Sequence, residues 1–307
     1  MTSIASTILD DCLGLSAGER FTAVTDEPSL PRALALHAAA LRIGAESALV
    51  LQRPPAGGNE LTPAVAAALG ASDVIVGVLD GSISHADATR RALARGARAV
   101  SMGGSTEAML TRLLGADLGV VAARSRAIAH ALSAARTAHV TCPRGTDLTL
   151  TIEGRRAIAD DGDLRSAGSL GNMPFGEGFI APTGGEGRLV ATTIAGQGLV
   201  GEAVLEVRDG ALAHAHGPAG HQLLETLDRH RPAGRNLAEL GIGAHHAARI
   251  CGNVLEDEKA LGSVHVAFGS SSSFGGAVTV AVHIDCVVPD VRIALDGEPF
   301  DPAAAGR

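Results

Sequence analysis

Three side chains of the types that bind metal ions lie on two apolar segments near the end of the sequence. His283 and Asp285 close a segment, residues 277–285, in which aliphatic side chains alternate with small or polar ones. Successive side chains of a strand point to opposite faces, so this alternation predicts a strand that presents His283 and Asp285 together. By the same rule His265, within residues 263–269, faces away from the aliphatic side chains of its segment. Two imidazoles and a carboxylate held in this way predict a rigid metal site.

Two glutamates earlier in the chain are candidates to complete such a site. Glu177 lies between Gly176 and Gly178, and a carboxylate flanked by glycines can approach an ion closely. Glu239 opens the stretch that ends at Asp285, although a lone glutamate there is more typical of an ordinary turn. Taken alone, a histidine and an acid two residues apart are also typical of a pair that bind each other at a sheet edge.

Two further residues are candidates for acid–base chemistry. Lys259 ends the charge run of residues 256–259, which is typical of a solvated loop, but its ammonium group can pair with a substrate carboxylate or with a ligating acid. His85 stands at a predicted strand-to-helix connection, where α/β domains present functional groups, and is a candidate general base.

The first 140 residues predict an α/β domain. Strands that are apolar on both faces alternate with helices, a pattern typical of a mainly parallel sheet covered on both sides. We predict strands at 21–25, 47–51, 74–79 and 99–102, and helices at 31–43, 85–95, 106–114 and 122–135. From about residue 141 to 307 the pattern changes to short strands with Gly-rich turns and a helix at 221–229. This second part predicts an α+β domain that carries the metal-binding residues.

Composition excludes several classes of partner. A net charge of −8, no Trp or Tyr and only 6 Phe do not favour phosphate binding or base stacking, so nucleic acid is not expected as a partner. The N-terminal segment has no basic region ahead of its apolar run, and no apolar run reaches the roughly 20 residues of a membrane span. The 4 Cys have no CxxC spacing. These features predict a soluble cytoplasmic protein with no membrane partner.

The segments that carry these residues resemble, in order, those of the aminopeptidase T family of metallo-aminopeptidases. The 2,5-dihydroxypyridine dioxygenases, which open a pyridine ring with iron, are similar to the same family. The resemblance covers nearly the whole chain, including SHADATRRALARGAR in the first domain. Its main motifs are GTDLTLTIEG, GNMPFGEGFIAP, AELGIG, DEKALGSVHVAFG and HID, followed by DG at 296–297.

The resemblance to the peptidases implies a metal-dependent hydrolase, and this is the leading expectation. The ligands would be Glu177, Glu239, His265, His283 and Asp285, holding one or two Zn, Co or Mn ions that activate a water for attack on an amide. Glu177, His85 and Lys259 are the candidate catalytic residues. Where the peptidases have a tyrosine after the first histidine, this sequence has Ser272. The substrate would be a small molecule or a short peptide, and family habit implies a homo-oligomer.

The resemblance to the dioxygenases implies a different reaction with a subset of the same residues. His265, His283 and Asp285 would form a 2-His-1-carboxylate site for Fe(II), which leaves positions open for oxygen and substrate. Glu177 and Glu239 would then support these ligands or contact substrate. A third alternative is a metal-binding protein without catalytic activity, and a shared fold does not choose among the three.

Overall fold

The structure is a computed structural model that describes residues 2–53, 61–84 and 86–306. His85, a predicted catalytic residue and the start of a predicted helix, lies outside the described residues. The chain forms two compact units. The first comprises residues 1–117 and 162–175, and the second comprises residues 118–161 and 176–307.

The first unit is built on a five-stranded sheet in which every pairing is parallel. The predicted parallel sheet is therefore confirmed. Its strands, in the spatial order β2-β1-β3-β4-β8, are β1 (Arg20–Thr25), β2 (Glu46–Leu51), β3 (Val74–Val78), β4 (Arg98–Ser101) and β8 (Leu170–Asn172). The helices are α1 (Thr2–Ser6), α2 (Leu30–Ile43), α3 (Pro63–Gly70), α4 (Asp87–Leu93) and α5 (Glu107–Leu113), and a π-helix spans Thr7–Cys12.

Local sequence explains where these elements begin and end. In α2, Pro31 lies in the first turn, where a missing amide N–H costs nothing, and Gly44 takes the left-handed conformation that ends the helix. All five residues of β3 are buried, as expected for a strand covered on both faces. The helix α3 was not predicted from the sequence, because its Ala-rich segment has little amphipathic pattern.

Within the described residues, the second unit is a large antiparallel sheet of twelve strands with three α-helices and two 3-10 helices, Ala233–Arg235 and Ser272–Phe274. Ten strands follow the order β17-β16-β5-β6-β10-β15-β14-β13-β9-β7, while β11 pairs with both β10 and β12. The strands are β5 (Thr137–Thr141), β6 (Asp147–Thr151), β7 (Ile158–Asp160), β9 (Glu177–Ile180), β10 (Gly184–Ile194), β11 (Gly198–Arg208), β12 (Ala211–His216), β13 (Leu237–Gly243), β14 (Ser263–Gly269), β15 (His283–Pro289), β16 (Arg292–Leu295) and β17 (Glu298–Phe300). The helices are α6 (Leu118–Ala134), α7 (Gly217–Asp228) and α8 (Val254–Asp257).

The units differ from the predicted division at about residue 140. The helix α6, predicted within the first domain, belongs to the second unit because Ile128 and Leu132 are buried in the hydrophobic core of the large sheet. Residues 162–175 return to the first unit, where β8 becomes the fifth parallel strand. Sequence patterning did not show this exchange, since each segment is too short to reveal its partners.

The strand predicted at 277–285 begins only at His283. The preceding residues instead fold onto residues 270–276, the serine loop: the Ser271 and Ser272 amides donate to the carbonyl of Val278, and the Ser270 amide donates to that of Val282. In return, the Val278 amide donates to Ser271 Oγ. Because the serine loop provides these hydrogen-bond partners, the backbone of residues 277–282 does not pair with another strand.

None of the helices that the structure describes is long and apolar enough to cross a membrane.

Candidate metal centre

One face of five neighbouring strands of the second unit carries the predicted metal ligands. Directly paired residues of antiparallel strands share a face, and Ala267 of β14 pairs with both Glu239 of β13 and Asp285 of β15. Gly269 pairs with His283, and His265 pairs with Gly241. The opposite face carries aliphatic side chains of the hydrophobic core. The prediction that the two histidines lie on the face opposite to their aliphatic neighbours is thus confirmed within β14 and β15.

The same face continues across β9 and β7. Glu177 pairs with Gly243 of β13 and with Asp160 of β7, so both carboxyl groups join the histidines on this side of the sheet. The predicted residues Glu177, Glu239, His265, His283 and Asp285 are all brought together, although they span more than a hundred positions of sequence. The register of the sheet, and not any local motif, produces this cluster.

Carboxylate oxygens surround the Nε2 atoms of both histidines. His265 Nε2 lies 3.2 Å from Glu239 Oε1 and 3.5 Å from Glu177 Oε2. His283 Nε2 lies 3.4 Å from Glu239 Oε2 and 3.4 Å from Asp285 Oδ1. Glu239 therefore bridges the two imidazoles. On its other side, His283 Nδ1 lies 2.7 Å from the carbonyl oxygen of Ser270, to which its N–H donates. That contact fixes the ring and directs Nε2 at the carboxylates.

The donor set fits a divalent cation. Ligand atoms of Glu239, His283 and Asp285 lie within 4.8 Å of one another, and so do those of Glu258, His265 and Asp285. Glu177 Oε2 and His265 Nδ1 are buried and have no hydrogen-bond partner among the described residues. Imidazole nitrogens that face carboxylate oxygens need a cation between them, either a proton or a metal ion. Nitrogen and oxygen donors in this number suit Zn, Mn, Co or Fe ions.

Small residues make room for the imidazole of His265. A Cβ added to Gly241 would lie 1.9 Å from His265 Cε1 and 2.3 Å from Nε2. Since real atoms do not approach so closely, the ring occupies the space that any side chain at position 241 would need. Glycine at this position is thus required by the histidine on the neighbouring strand.

The substitution Gly241→Ala is expected to displace the His265 ring and to lower metal affinity by about 10- to 100-fold, the range seen when ligand orientation is disturbed. Gly184→Ala is the matched control, because its Cβ would meet nothing nearer than Thr151 Oγ1 at 3.9 Å. Metal affinity measured by titration of the metal-free variants decides the matter. Equal affinities of the two variants would contradict the proposed packing.

Lys259 lies at the centre of a second, fully buried group of charges. Its Nζ donates to Glu177 Oε1 at 2.5 Å and to Glu258 Oε1 at 2.7 Å, and lies 3.5 Å from Asp160 Oδ2. The expectation of a solvated loop for residues 256–259 is wrong, because all four are buried. The physical reason is that each charge has partners: Asp257, for example, accepts from Thr193 Oγ1 and from two backbone amides.

The residue type at this position is unusual for this chain. Lys259 is the only lysine in a chain that otherwise uses arginine for its strongly basic side chains. A guanidinium group is planar and larger, whereas an ammonium group is a compact point charge that three carboxylates can surround. Asp160 and Glu258 were missed as site residues, because only the fold brings Asp160 to Lys259 and the charge run around Glu258 has the pattern of a solvated loop.

Burial sets the protonation of the acids around Lys259. Burial raises the pKa of Glu177 to about 8, although Lys259 and His265 act to lower it. Burial also raises the pKa of Asp160 to about 6 against the charge of Lys259. Burial lowers the pKa of Lys259, but Glu177 and the neighbouring acids outweigh it and hold that pKa well above its ordinary value. Lys259 is therefore charged, and Glu177 can hold a proton near neutral pH.

The carboxylates around the two histidines favour the protonated rings when no metal is bound. Burial would lower the pKa of His265, but Glu177 and Glu239 raise it to about 10. Burial opposes protonation of His283 too, and Asp285 and Glu239 hold its pKa well above 6.5. Burial would raise the pKa of Glu239, yet hydrogen bonds with both histidines keep it below its usual range. A metal ion at this place would displace these protons.

The metal-free protein is expected to lose stability as the pH rises. The folded state holds a proton on His265 that the unfolded chain releases near pH 6.5, so this contribution is complete below pH 6.5 and is lost as the pH rises toward about 10. Glu177 adds an effect of the same direction: its raised pKa also makes stability fall as the pH rises toward about 8. Chemical denaturation of the metal-free protein across this range measures the slope. His265→Gln should flatten it, and an unchanged slope would contradict the assignment.

One of the 6 phenylalanines, Phe274, contacts His283, and a second, Phe179, contacts Phe274. The ring of Phe274 meets the imidazole of His283 edge to face, with centroids 5.7 Å apart and planes at 83°. Phe179 meets Phe274 at the same centroid distance and at 75°. Phe274 reaches this position because the serine loop folds back over β15, and Arg155 Nη1 donates to the loop carbonyl of Gly275 at 2.6 Å. The face that carries the candidate metal ligands therefore has an aromatic border, which the sequence did not predict.

Comparison with known proteins gives one family and two related folds. The model of the family described as NicX, 2,5-dihydroxypyridine 5,6-dioxygenase, matches residues 2–302. The solved structure of 2,5-dihydroxypyridine dioxygenase from Pseudomonas putida KT2440 is similar with a TM-score of 0.81 and 21% identity, over 99% of this chain and 95% of that one. Wild-type AmpT from Thermus thermophilus has a TM-score of 0.70 and 18% identity, over 97% and 96% of the chains. No curated protein matched.

These findings correct the leading expectation from the sequence. The prediction of an aminopeptidase-like hydrolase is wrong, because the family match and the more similar of the two solved structures are both dioxygenases. AmpT shares the fold with lower similarity, and at such identities a common fold does not imply a common reaction. The resemblance to a group that includes both enzymes is confirmed.

Proposed function

The chain belongs to the NicX family of 2,5-dihydroxypyridine 5,6-dioxygenases, and on that premise we propose that it opens the ring of a small hydroxylated N-heterocycle with molecular oxygen. The observation that carries the proposal is the family match over residues 2–302, a range that includes every residue of the candidate metal centre. The prediction that a metal-dependent enzyme acts on a small molecule agrees with this assignment.

The proposed ligands of the metal are His265, His283 and Asp285. This choice rests on their shared sheet face and on the orientation of His283 by the carbonyl of Ser270. Fe(II) held by two histidines and one carboxylate supplies open positions at which oxygen and substrate can bind together. Glu239 lies between the two rings and orients them through its two oxygens.

Glu177 is the proposed proton carrier for the substrate. It lies 3.5 Å from His265 Nε2, and burial brings its pKa to about 8, near the operating pH that acid–base catalysis favours. A hydroxylated heterocycle must lose a hydroxyl proton to bind as an anion, and Glu177 Oε2, like Asp160 Oδ2, is a buried carboxyl oxygen without a hydrogen-bond partner among the described residues. Lys259 fixes the other oxygen of Glu177 and therefore acts as a positioning residue. His85 remains a candidate base from sequence alone.

The aromatic border fits a flat ring substrate. Phe274 contacts His283 and Phe179 contacts Phe274, so a heteroaromatic ring would pack against this apolar surface while its hydroxyl groups face the charged residues. This arrangement supports a heterocycle over a flexible peptide, which would present several backbone donors and acceptors to an apolar wall.

The substitution Phe274→Leu is expected to raise KM for 2,5-dihydroxypyridine by roughly 2- to 10-fold, since one aromatic contact contributes about 0.5–1.5 kcal/mol. Phe300→Leu is the control, because Phe300 packs against the core of the second unit on β17. Steady-state kinetics at several oxygen concentrations separate KM from kcat. If the Phe274 variant kept the KM of the unmodified enzyme, the ring would bind elsewhere.

Oxygen consumption tests the proposed function. Protein prepared without air and loaded with Fe(II) should consume oxygen in proportion to the 2,5-dihydroxypyridine that disappears. The same protein loaded with Zn(II) should do neither, since Zn(II) has no redox chemistry. Consumption of the pyridine without oxygen, or no reaction with Fe(II) in any hydroxypyridine tested, would contradict the proposal.

A further inference from the structure

A large cavity lies within the first unit, at the carboxyl ends of its parallel strands. Its volume is about 1060 Å³, and residues that follow β1, β2, β3 and β4 line it. In the sheet order β2-β1-β3-β4, β2 lies on one side of β1, and the chain then crosses to form β3 and β4 on the other side. Ligands of open α/β sheets bind in the crevice at such a reversal point. The cavity thus stands where this type of sheet can hold a ligand.

The wall of the cavity is fixed before any ligand arrives. Asp26, which follows β1, accepts from the Ser29 amide at 3.0 Å and from the Asp80 amide, beyond β3, at 2.6 Å. Burial would raise the pKa of Asp26, but these hydrogen bonds outweigh it and hold the carboxyl below its usual range. The ionised carboxylate therefore ties the loop after β1 to the loop after β3, so the two sides of the crevice keep their spacing.

Two buried polar groups on the cavity wall lack partners. Ser105 is only 3% exposed, and its hydroxyl has no hydrogen-bond partner in the part of the chain that the structure describes. The same holds for the buried Nε of Arg32, whereas its Nη2 donates to Ser29 Oγ at 2.9 Å. Buried donors are nearly always satisfied in proteins, by water or by a ligand when the chain does not satisfy them. Oxygen atoms of a ligand are acceptors of the kind that such groups require.

The remaining lining indicates the chemistry of the ligand. Arg32 and Arg53 bring two guanidinium groups, which suit the oxygens of a carboxylate or phosphate. Glu27 and Asp80 are exposed carboxylates that can accept from hydroxyl groups. Leu51 is 55% exposed at the cavity and offers an apolar surface.

We propose that this cavity binds an anionic small molecule, with a carboxylate or phosphate at Arg32 and a hydroxylated body against the opposite wall. All of its lining residues belong to the first unit, whereas the candidate metal centre is built entirely from the second. The proposal therefore stands without the proposed ring-opening reaction and would hold for a protein with another activity.

Calorimetric titration of the full-length, iron-loaded protein tests the proposal with three probes: inorganic phosphate, succinate and adenosine monophosphate. At least one is expected to bind once per chain, and phosphate against succinate shows which anion is preferred. Tighter binding of adenosine monophosphate than of phosphate would support contacts between the cavity and the hydroxylated part of the ligand. No binding by any of the three would overturn the proposal.

Variants locate the binding. Arg32→Gln and Ser105→Ala are each expected to weaken it at least about tenfold, as the loss of a hydrogen bond to a charged group implies. Arg229→Gln, at an exposed arginine of the second unit, should leave it unchanged. Far-ultraviolet circular dichroism and metal content check that the variants are folded. Binding that survives Arg32→Gln and Ser105→Ala, or that disappears in His283→Ala, would place the anion elsewhere and overturn the proposal.

Discussion

Replacing His283 by alanine is expected to remove the bound metal and the activity together. The imidazole lies 3.4 Å from both Glu239 and Asp285, and its other nitrogen is held by the carbonyl of Ser270. Loss of a residue that merely orients a ligand costs about 10- to 100-fold in metal affinity, so loss of a ligand should cost more than about 100-fold. Metal content after anaerobic loading and turnover of 2,5-dihydroxypyridine measure the two effects.

His139→Ala is the matched control. His139 also bonds a carboxylate, with Nε2 2.8 Å from Asp147 Oδ1, but this pair is exposed on β5 and β6. Its removal should change neither metal content nor turnover. A His283 variant that retained full metal and activity would show that the metal lies elsewhere.

Replacing Lys259 by methionine is expected to destabilise the fold by roughly 3–5 kcal/mol, the usual cost of leaving a buried charge without its partner. Lys259 is fully buried, and its ammonium group is shared by Glu177, Glu258 and Asp160. Methionine keeps most of the volume but leaves three buried carboxyl groups facing one another. The free energy of unfolding from denaturant titration measures the loss.

Arg126→Met is the comparison for an exposed ion pair in the same region. Arg126 bonds Asp161, the neighbour of Asp160, but its side chain is 57% exposed, so its loss should cost at most about 1 kcal/mol. Adding Glu177→Gln to the Lys259 variant should restore part of its stability, because it replaces one of the buried carboxyl groups left without Lys259 by a neutral amide. Similar losses for the two single variants would contradict the buried network.

The face on which three of the proposed metal ligands lie was predictable from local sequence. Period-two alternation fixed the face on which His265, His283 and Asp285 lie, and that face holds in the structure. The helix that ends at Gly44 and the buried strand at Val74–Val78 were predictable for similar reasons, since each carries its own start, stop or burial signal. These are properties of a single element.

Features that depend on distant partners were not predictable. The burial of Lys259 depends on Asp160 of β7 and Glu177 of β9, about a hundred and about eighty positions earlier in the sequence. Residues 277–282 have the pattern of a strand, but hydrogen bonds to the serine loop satisfy them instead. The exchange of residues 162–175 between the units is likewise a matter of strand pairing.

The reaction was the least predictable feature, and the wrong leading expectation shows why. A hydrolase and a dioxygenase can share His265, His283 and Asp285, because both need a divalent ion with open positions. The two reactions differ in the residues that contact the substrate. One candidate for such a residue, Phe274, reaches His283 through a loop whose fold the sequence did not predict.

The most direct test of the dioxygenase assignment is the fate of labelled oxygen. Iron-loaded protein should convert 2,5-dihydroxypyridine under ¹⁸O₂ to a ring-opened product in which mass spectrometry finds two labelled oxygen atoms from one molecule of oxygen. A product labelled only from H₂¹⁸O, with no oxygen consumed, would contradict the assignment and identify the site as hydrolytic.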